Sequence, residues 1–230
     1  MRIGILSDIH SNGDALSAIL GDLHRCDKIF FLGDLVGYGA QPNQVVEDVR
    51  KLKPQIALMG NHDHAVITGD TTDFVRYAAR AIEWTRKQIQ SDNLTYLSNL
   101  QVKASMHLNG MRLAMYHGSP RDPLNEYIFP GLPLFIVRNL IELATADVLL
   151  LGHTHIPFIA RDSNRILANP GSVGQPRDGD PRASYGILEV NDGKVEFTLK
   201  RVKYDIDSAA SRIIKAGLPS FLAERLYLGL

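Results

Sequence analysis

Through the first sixty residues, short apolar runs alternate with longer stretches in which apolar residues recur every three or four positions. Arg2 to Leu6 reads as a buried strand and Asp14 to His24 as an amphipathic helix with Asn12 as its N-cap. Ile29 to Leu32 reads as the next strand, followed by a helix from Asn43 to Leu52 that Pro54 ends, and Ile56 to Met59 as a third strand. This βαβαβ rhythm predicts parallel pairing through right-handed crossovers.

The pattern then changes. From Asp73 to Gln90, Phe74, Tyr77, Ala78, Ala81, Ile82, Trp84 and Ile89 fall at helical spacing, and a short helix is expected from Leu94 to Leu100. Those aromatics read as core. Val102 to Leu108 and Arg112 to Tyr116 flank Asn109-Gly110, a hairpin signal that introduces antiparallel strands. A helix is expected from Pro133 to Leu143, then strands at Val148 to Leu151, Phe158 to Arg161, Arg165 to Ala168 and Tyr185 to Val190. Val195 to Val202 is expected to pair back across Asn191-Asp192-Gly193, and helices at Ile206 to Lys215 and Ser220 to Leu228 close the chain. With no repeat, low-complexity tract or linker, residues 1–230 read as one domain.

Composition narrows the partners. Hydrophobic residues make up 45% of the 230, enough for a sizeable core, and the 25 basic residues balance the 25 acidic ones. No global field draws the chain to nucleic acid or an anionic membrane, so neither is expected as a partner. No segment reaches the roughly 18 apolar residues of a membrane span, and the chain enters its first strand without a signal-peptide pattern. The lone Cys26 reads as an inert thiol in a reducing compartment, and a soluble cytoplasmic protein is expected.

Candidate chemistry sits where apolar runs end. SDIH supplies Asp8 and His10, GD supplies Asp34, GNHD supplies Asn61, YHGS supplies His117, and GHTH supplies His153 and His155. Open α/β sheets place their ligand crevices at the carboxyl ends of strands. Carboxylate, amide and imidazole in this number suffice for two metal ions, and a two-metal site of this kind implies displacement at phosphorus. His24, His64 and His107 read as ordinary histidines.

The motif order DxH, GD, GNHD, H, GHxH resembles the calcineurin-like metallophosphoesterase superfamily, in particular its small prokaryotic phosphodiesterase-type branch, and spans Asp8 to His155. The resemblance implies an α/β fold built as a four-layer αββα sandwich, two mixed β-sheets flanked by helices. It implies that Asp8, His10, Asp34 and His155 hold one divalent ion, while Asp34, Asn61, His117 and His153 hold the other. Asp34 would bridge, a metal-bound hydroxide would attack, and His62 would be the general acid, with Asp63 orienting its imidazole. Manganese is the metal expected for activity, with iron, zinc, cobalt and nickel as alternatives.

The chain departs from the superfamily's protein-phosphatase branch. That branch reads GD-x-VDRG, whereas this chain reads GDLVGYG, with Gly37 and Tyr38 at the acid and arginine positions and Met59 where another arginine stands. Loss of bidentate arginine recognition of a dianion favours a phosphodiester or nucleotide phosphoanhydride. Tyr38, Arg121 and Arg177 are the candidate substrate-binding residues, Tyr38 and Tyr127 are candidates to stack on a base or phenyl leaving group, and the NPGS segment Asn169 to Ser172 is expected to support the site. A dinucleoside polyphosphate hydrolase, a phosphomonoesterase and a non-catalytic scaffold are the alternative readings. The expected partner is a small phosphorylated substrate, and the oligomeric state is open, a homodimer included.

Overall fold

The computed structural model describes residues 1–191 and 194–230. Its first half follows the βαβαβ rhythm: β1 (Arg2–Leu6), α1 (Gly13–Leu23), β2 (Lys28–Phe31), α2 (Pro42–Leu52) and β3 (Ile56–Ala57). Three helices follow, α3 (Asn61–Thr68), α4 (Arg76–Gln88) and α5 (Ser91–Ser98), then the hairpin of β4 (Lys103–Leu108) and β5 (Met111–Tyr116). Next come α6 (Leu134–Leu143), β6 (Val148–Leu150), β7 (Phe158–Asp162), β8 (Arg165–Asn169), β9 (Ala183–Asn191) and β10 (Lys194–Val202). Helices α7 (Ile206–Lys215) and α8 (Phe221–Leu228) complete the fold.

The strands form two five-stranded mixed sheets, ordered β10-β9-β1-β2-β3 and β4-β5-β6-β8-β7. In the first, β1, β2 and β3 run parallel while β9 and β10 are antiparallel. In the second, β5, β6 and β8 run parallel and an antiparallel strand closes each edge. Period-two alternation divides every central strand between two apolar layers. Ile3, Ile5, Phe30 and Leu32 meet Leu113, Met115, Val148 and Leu150 in a core between the sheets. Leu6 and Phe31 face the opposite way, onto Leu16, Ile19, Val45 and Val49 of α1 and α2. On the far side, Ala114, Leu149 and Leu167 pack on Val137, Leu140 and Ile141 of α6. This is the αββα sandwich, with each fully buried leucine or isoleucine stabilising it by about 1.5–3 kcal/mol.

Two local differences from the sequence reading have physical causes. β3 ends at Ala57 because Leu58 bridges to Gln101 and Met59 N–H donates to the Gln101 carbonyl, which turns the chain. Helix α3 was not expected: its first turn is the polar motif Asn61-His62-Asp63, which hides helical periodicity. The turn expected at Asn191-Asp192-Gly193 falls on residues 192 and 193, outside the described residues, although Lys194 pairs opposite Asn191. Asn12 caps α1 as expected, its side chain accepting from Ala15 N–H at 3.0 Å. Among the described residues no helix is long and apolar enough to cross a membrane.

Candidate metal centre

The parallel strands of both sheets deliver their carboxyl ends to one place. Asp8 follows β1, Asp34 follows β2, Asn61 and His62 open α3 after β3, His117 follows β5, and His153 and His155 follow β6. Backbone hydrogen bonds knit these loops together: Asp8 N–H to Gly33 C=O, His10 N–H to Asp34 C=O, and Gly152 N–H to His117 C=O. Asp8, His10, Asp34, His153 and His155 all take left-handed backbone, with φ of 56, 50, 58, 67 and 61°. Such φ is uncommon for residues other than glycine, and five instances on five candidate ligands mark backbone strain retained at a functional site. The loops also need glycine: a Cβ at Gly60 would overlap the Asp34 carboxylate.

The imidazoles are aimed by the carbonyls behind them. His10 Nδ1 lies 3.0 Å from Val36 O, His117 Nδ1 2.8 Å from Leu32 O, and His155 Nδ1 2.6 Å from Gln175 O. A carbonyl only accepts, so the proton is on Nδ1 and the Nε2 lone pair points inward. His153 is turned round, with Nε2 3.1 Å from Asn125 O and Nδ1 facing the cluster. Inside, His10 Nε2 and His155 Nε2 stand 3.0 Å apart, and His117 Nε2 lies 3.1 Å from His153 Nδ1 and 3.2 Å from Asn61 Oδ1. Asp8 Oδ1 is 3.3 Å from His155 Nε2, and Asp34 Oδ2 is 3.5 Å from His10 Nε2 and 3.3 Å from His117 Nε2.

Lone pairs so arranged repel unless a cation lies among them. Two nitrogens bound about 2.1 Å from one ion at right angles stand about 3 Å apart, which is the spacing seen here. Asp8 Oδ1 and Asp34 Oδ2, both buried, accept no hydrogen bond from the protein. Buried carboxylate oxygens without donors are costly on their own and suit coordination. The residues fit divalent metal, in the groups Asp8-His10-His155 and Asp34-His117-His153, with His10-Asp34-His62 a third combination.

Electrostatics agree. Burial alone would raise the Asp8 and Asp34 carboxyls, but the surrounding histidines outweigh it and hold both well below the usual carboxylate range. Burial opposes charge on His117, yet the Asp34 and Asp8 carboxylates push its pKa up to about 9. The pocket thus favours positive charge beside Asp34. Burial depresses His10 and His155, and takes His153, which also faces His117, down to about 3.

His62 stands beside this cluster rather than tied into it. Its backbone N–H donates to Asp34 Oδ1 at 2.9 Å, while its ring packs between Tyr38, with centroids 4.4 Å apart, and Phe74, 4.9 Å away. Buried His62 Nδ1 has no hydrogen-bond partner and rests against Gly37, where a Cβ would come within 2.5 Å at a backbone φ of +94°. The glycine that replaces the acid of the phosphatase motif makes room for the imidazole. Desolvation lowers its pKa to about 4.

Asp63 does not orient His62, contrary to the expectation from the motif. Its carboxylate accepts from the backbone N–H of Asp34 at 2.9 Å, Val36 at 3.1 Å and Gly60 at 3.0 Å. It clamps the GD loop to the start of α3, because three unsatisfied amides there outbid a single ring nitrogen. Burial and the Asp34 charge push its pKa up to about 7. Arg121 is likewise engaged by protein: its Nε donates to Glu126 Oε2 at 3.0 Å, and this ion pair occupies its guanidinium.

Tyr38 and Arg177 are at the site. Tyr38 is buried against His10 and His62, so its ring faces are taken by protein and the expected stacking on a substrate ring is not available to it. Arg177 lies 5.6 Å over the Tyr38 ring and its charge acts on His62 and His155. Tyr127 stacks on His153 at 3.9 Å. The NPGS loop buttresses the strand ends: Asn169 Nδ2 donates to Gly152 O at 2.6 Å and Ser172 Oγ to Asp8 O at 2.7 Å.

Two residues escaped sequence reasoning. Asn125 acts through its backbone carbonyl, which no motif records. Arg225 of α8 is buried 5.8 Å from the Tyr38 ring, and only the rarity of a charge on an apolar helix face could have signalled it. Beside the cluster opens a cleft of about 410 Å³ whose lining includes Asn61, His62, His153 and Tyr127.

The buried Asp/His cluster thus lies where the two mixed sheets bring their strand ends together. The chain belongs to the calcineurin-like phosphoesterase superfamily, whose domain model matches residues 1–193. It is 40% identical to the uncharacterized protein MJ0912 of Methanocaldococcus jannaschii, covering 99% of this chain and 98% of that one. The crystal structure of a metallophosphoesterase from Sphaerobacter thermophilus superposes with a TM-score of 0.86 at 39% identity, covering 100% and 99% of the two chains. Phosphodiesterase YfcE of Escherichia coli K12 is 46% identical over 56 residues, 24% of this chain and 30% of that one. Family and relatives point to a phosphoesterase-type hydrolase.

Proposed function

We propose that the protein is a binuclear metal-dependent phosphoesterase that hydrolyses a phosphodiester or a nucleotide phosphoanhydride. The observation that carries the reading is the pair of buried, donor-free oxygens, Asp8 Oδ1 and Asp34 Oδ2, facing inward-pointing imidazole nitrogens. Asp8, His10, Asp34 and His155 would hold one ion, and Asp34, Asn61, His117 and His153 would hold the other. Asp34 would serve both, since its Oδ2 lies 3.5 Å from His10 Nε2 and 3.3 Å from His117 Nε2. Two such cations supply Lewis acidity and lower the pKa of a water they share.

The chain's own groups do the rest. Hydrolysis breaks the bond from phosphorus to the leaving oxygen, which takes up one proton, while the oxygen of water joins phosphorus and loses one. His62, beside Asp34 and lining the cleft, is placed to give the hydrogen bond or proton at the leaving oxygen. Arg177, close to His62 and His155, supplies positive charge for the phosphoryl oxygens that the missing phosphatase arginines do not. Tyr38 holds that guanidinium in place.

The test is the metal-stripped protein reloaded separately with manganese, iron, zinc, cobalt and nickel. Each form is assayed on bis(p-nitrophenyl) phosphate, p-nitrophenyl phosphate and diadenosine tetraphosphate, with bound metal counted. Two ions per chain, activity restored best by manganese, and the monoester as the poorest substrate are expected. Full activity after stripping, or a preference for the monoester, overturns the reading.

A further inference from the structure

The cleft beside the cluster has a chemistry of its own. Phe74, Val75 and Ala78 form one wall, Tyr127 contributes to its lining, and two carboxylates, Asp73 and Asp122, join them. Val75 and Tyr127 are 55% and 48% exposed, so apolar surface is kept open to solvent where a ligand would cover it. Neither Lys nor Arg lines the cleft among the described residues. His62, which lines it, makes this the side on which a leaving group would stand.

Positive charge is gathered at one edge of the cleft, on Tyr38, which also lines it, and Arg177 acts on Tyr127 as well. Arg177 and Arg225 lie 5.6 and 5.8 Å from the Tyr38 ring, and neither forms an ion pair among the described residues. Each has a buried nitrogen without a hydrogen-bond partner, Nε of Arg177 and Nη1 of Arg225. By contrast, Arg112, Arg121, Arg138, Arg182 and Arg212 each pair with a carboxylate. The cleft is therefore polarised, with guanidinium groups that form no ion pair at its Tyr38 edge and, elsewhere in its lining, the carboxylates of Asp73 and of Asp122, the latter accepting from the backbone N–H of Leu124 and Asn125.

We infer that the cleft receives the alcohol portion of the substrate, a group with an apolar, flat body that is uncharged or cationic, and rejects a leaving group carrying further phosphate. The inference rests on the hydrolase reading and narrows it from diester or anhydride to diester. A polyphosphate leaving group would place its negative charge beside Asp73 and Asp122, where like charges repel. An aryl or similar flat group instead packs against Phe74 and Val75 and beside Tyr127, whose ring faces are covered by His153 and Phe129.

Non-hydrolysable phosphonates separate these cases by calorimetry on the metal-loaded protein, with no turnover needed. Phenylphosphonate should bind about tenfold more tightly than methylphosphonate, because only the former covers the apolar wall. A 4-trimethylammonio substituent should keep or raise that affinity, and a 4-carboxy substituent should lower it by about threefold to tenfold. Phe74→Ala should bring the phenyl and methyl ligands to within about threefold of each other, and Val75→Ala, at an exposed position, should reduce the same ratio less. Asp73→Asn should narrow the gap between the cationic and anionic ligands.

Equal binding of methyl and phenyl ligands, or 4-carboxy binding as tight as phenyl, overturns the inference. A protein that binds the series in the expected order but cleaves no phosphoester overturns the hydrolase reading and leaves the cleft preference supported. A protein that cleaves diadenosine tetraphosphate better than aryl diesters overturns the cleft preference alone.

Discussion

The two sheets make unequal contributions to one site. The first, through the loops after β1, β2 and β3, brings Asp8, His10, Asp34 and Asn61, and so both carboxylates. The second, after β5 and β6, brings only the imidazoles His117, His153 and His155. Carboxylates on one side and imidazole nitrogens on the other form a cation site only when the sheets are docked. Packing of Ile5 and Phe30 against Met115 and Leu150 in the shared core is thus a condition for assembling the cluster.

The sharpest way to break this symmetry is to remove one ligand from each side. Asp34→Ala and His117→Ala should each lower diesterase activity by more than about 100-fold, the range reached by losing even an outer partner of a metal ligand. Metal content measured by mass spectrometry should fall in both. Near-normal activity in either variant would show that one sheet suffices. Docking is probed next: Leu150→Ala, in the inter-sheet core, should cost about 2–5 kcal/mol in urea unfolding. Metal affinity should weaken alongside it, and unchanged affinity would separate the cluster from the core.

A smaller effect isolates the first sheet's loop. Gly37→Ala places a methyl against His62 Nδ1 and asks a non-glycine residue to hold a φ of +94°, which should destabilise by about 1–3 kcal/mol. Activity should drop with little change in metal content; full activity would detach His62 from the chemistry. The smallest effect is a matter of pH. Burial raises the Tyr204 phenol to about 12, above the ordinary 10 of an unfolded chain. The neutral form is therefore favoured in the fold, so this stability is complete below pH 10 and declines as pH rises from 10 toward 12. Thermal melting across that range should show a shallower alkaline decline for Tyr204→Phe than for the parent chain.

Much of this was legible in the chain. Alternation in Ile3 to Leu6 and in Leu113 to Met115 marks strands, and because both faces are apolar it marks strands buried on both sides. The seven candidate ligands stand at strand ends in the sequence and within one cluster in the structure. Asp63 and Arg121 were misread for one reason: their partners are a set of backbone amides and Glu126, and a motif of side-chain types records neither. Helix α3 was hidden because its opening residues serve the site before they serve a core.

Sequence alone determined the layer structure, the placement of Asp and His at strand ends, and membership of a phosphoester-hydrolase superfamily. These depend on neighbours in the chain, whose spacing is fixed by helix and strand periods. Tertiary structure alone decided which imidazole nitrogen faces inward, since Val36, Leu32, Gln175 and Asn125 supply the carbonyls that set it. It also decided that Arg177 and Arg225, from different parts of the chain, gather on Tyr38 while the cleft stays free of Lys and Arg. Such contacts arise between segments far apart in sequence, and only docking of the two sheets and the packing of α8 bring them within reach.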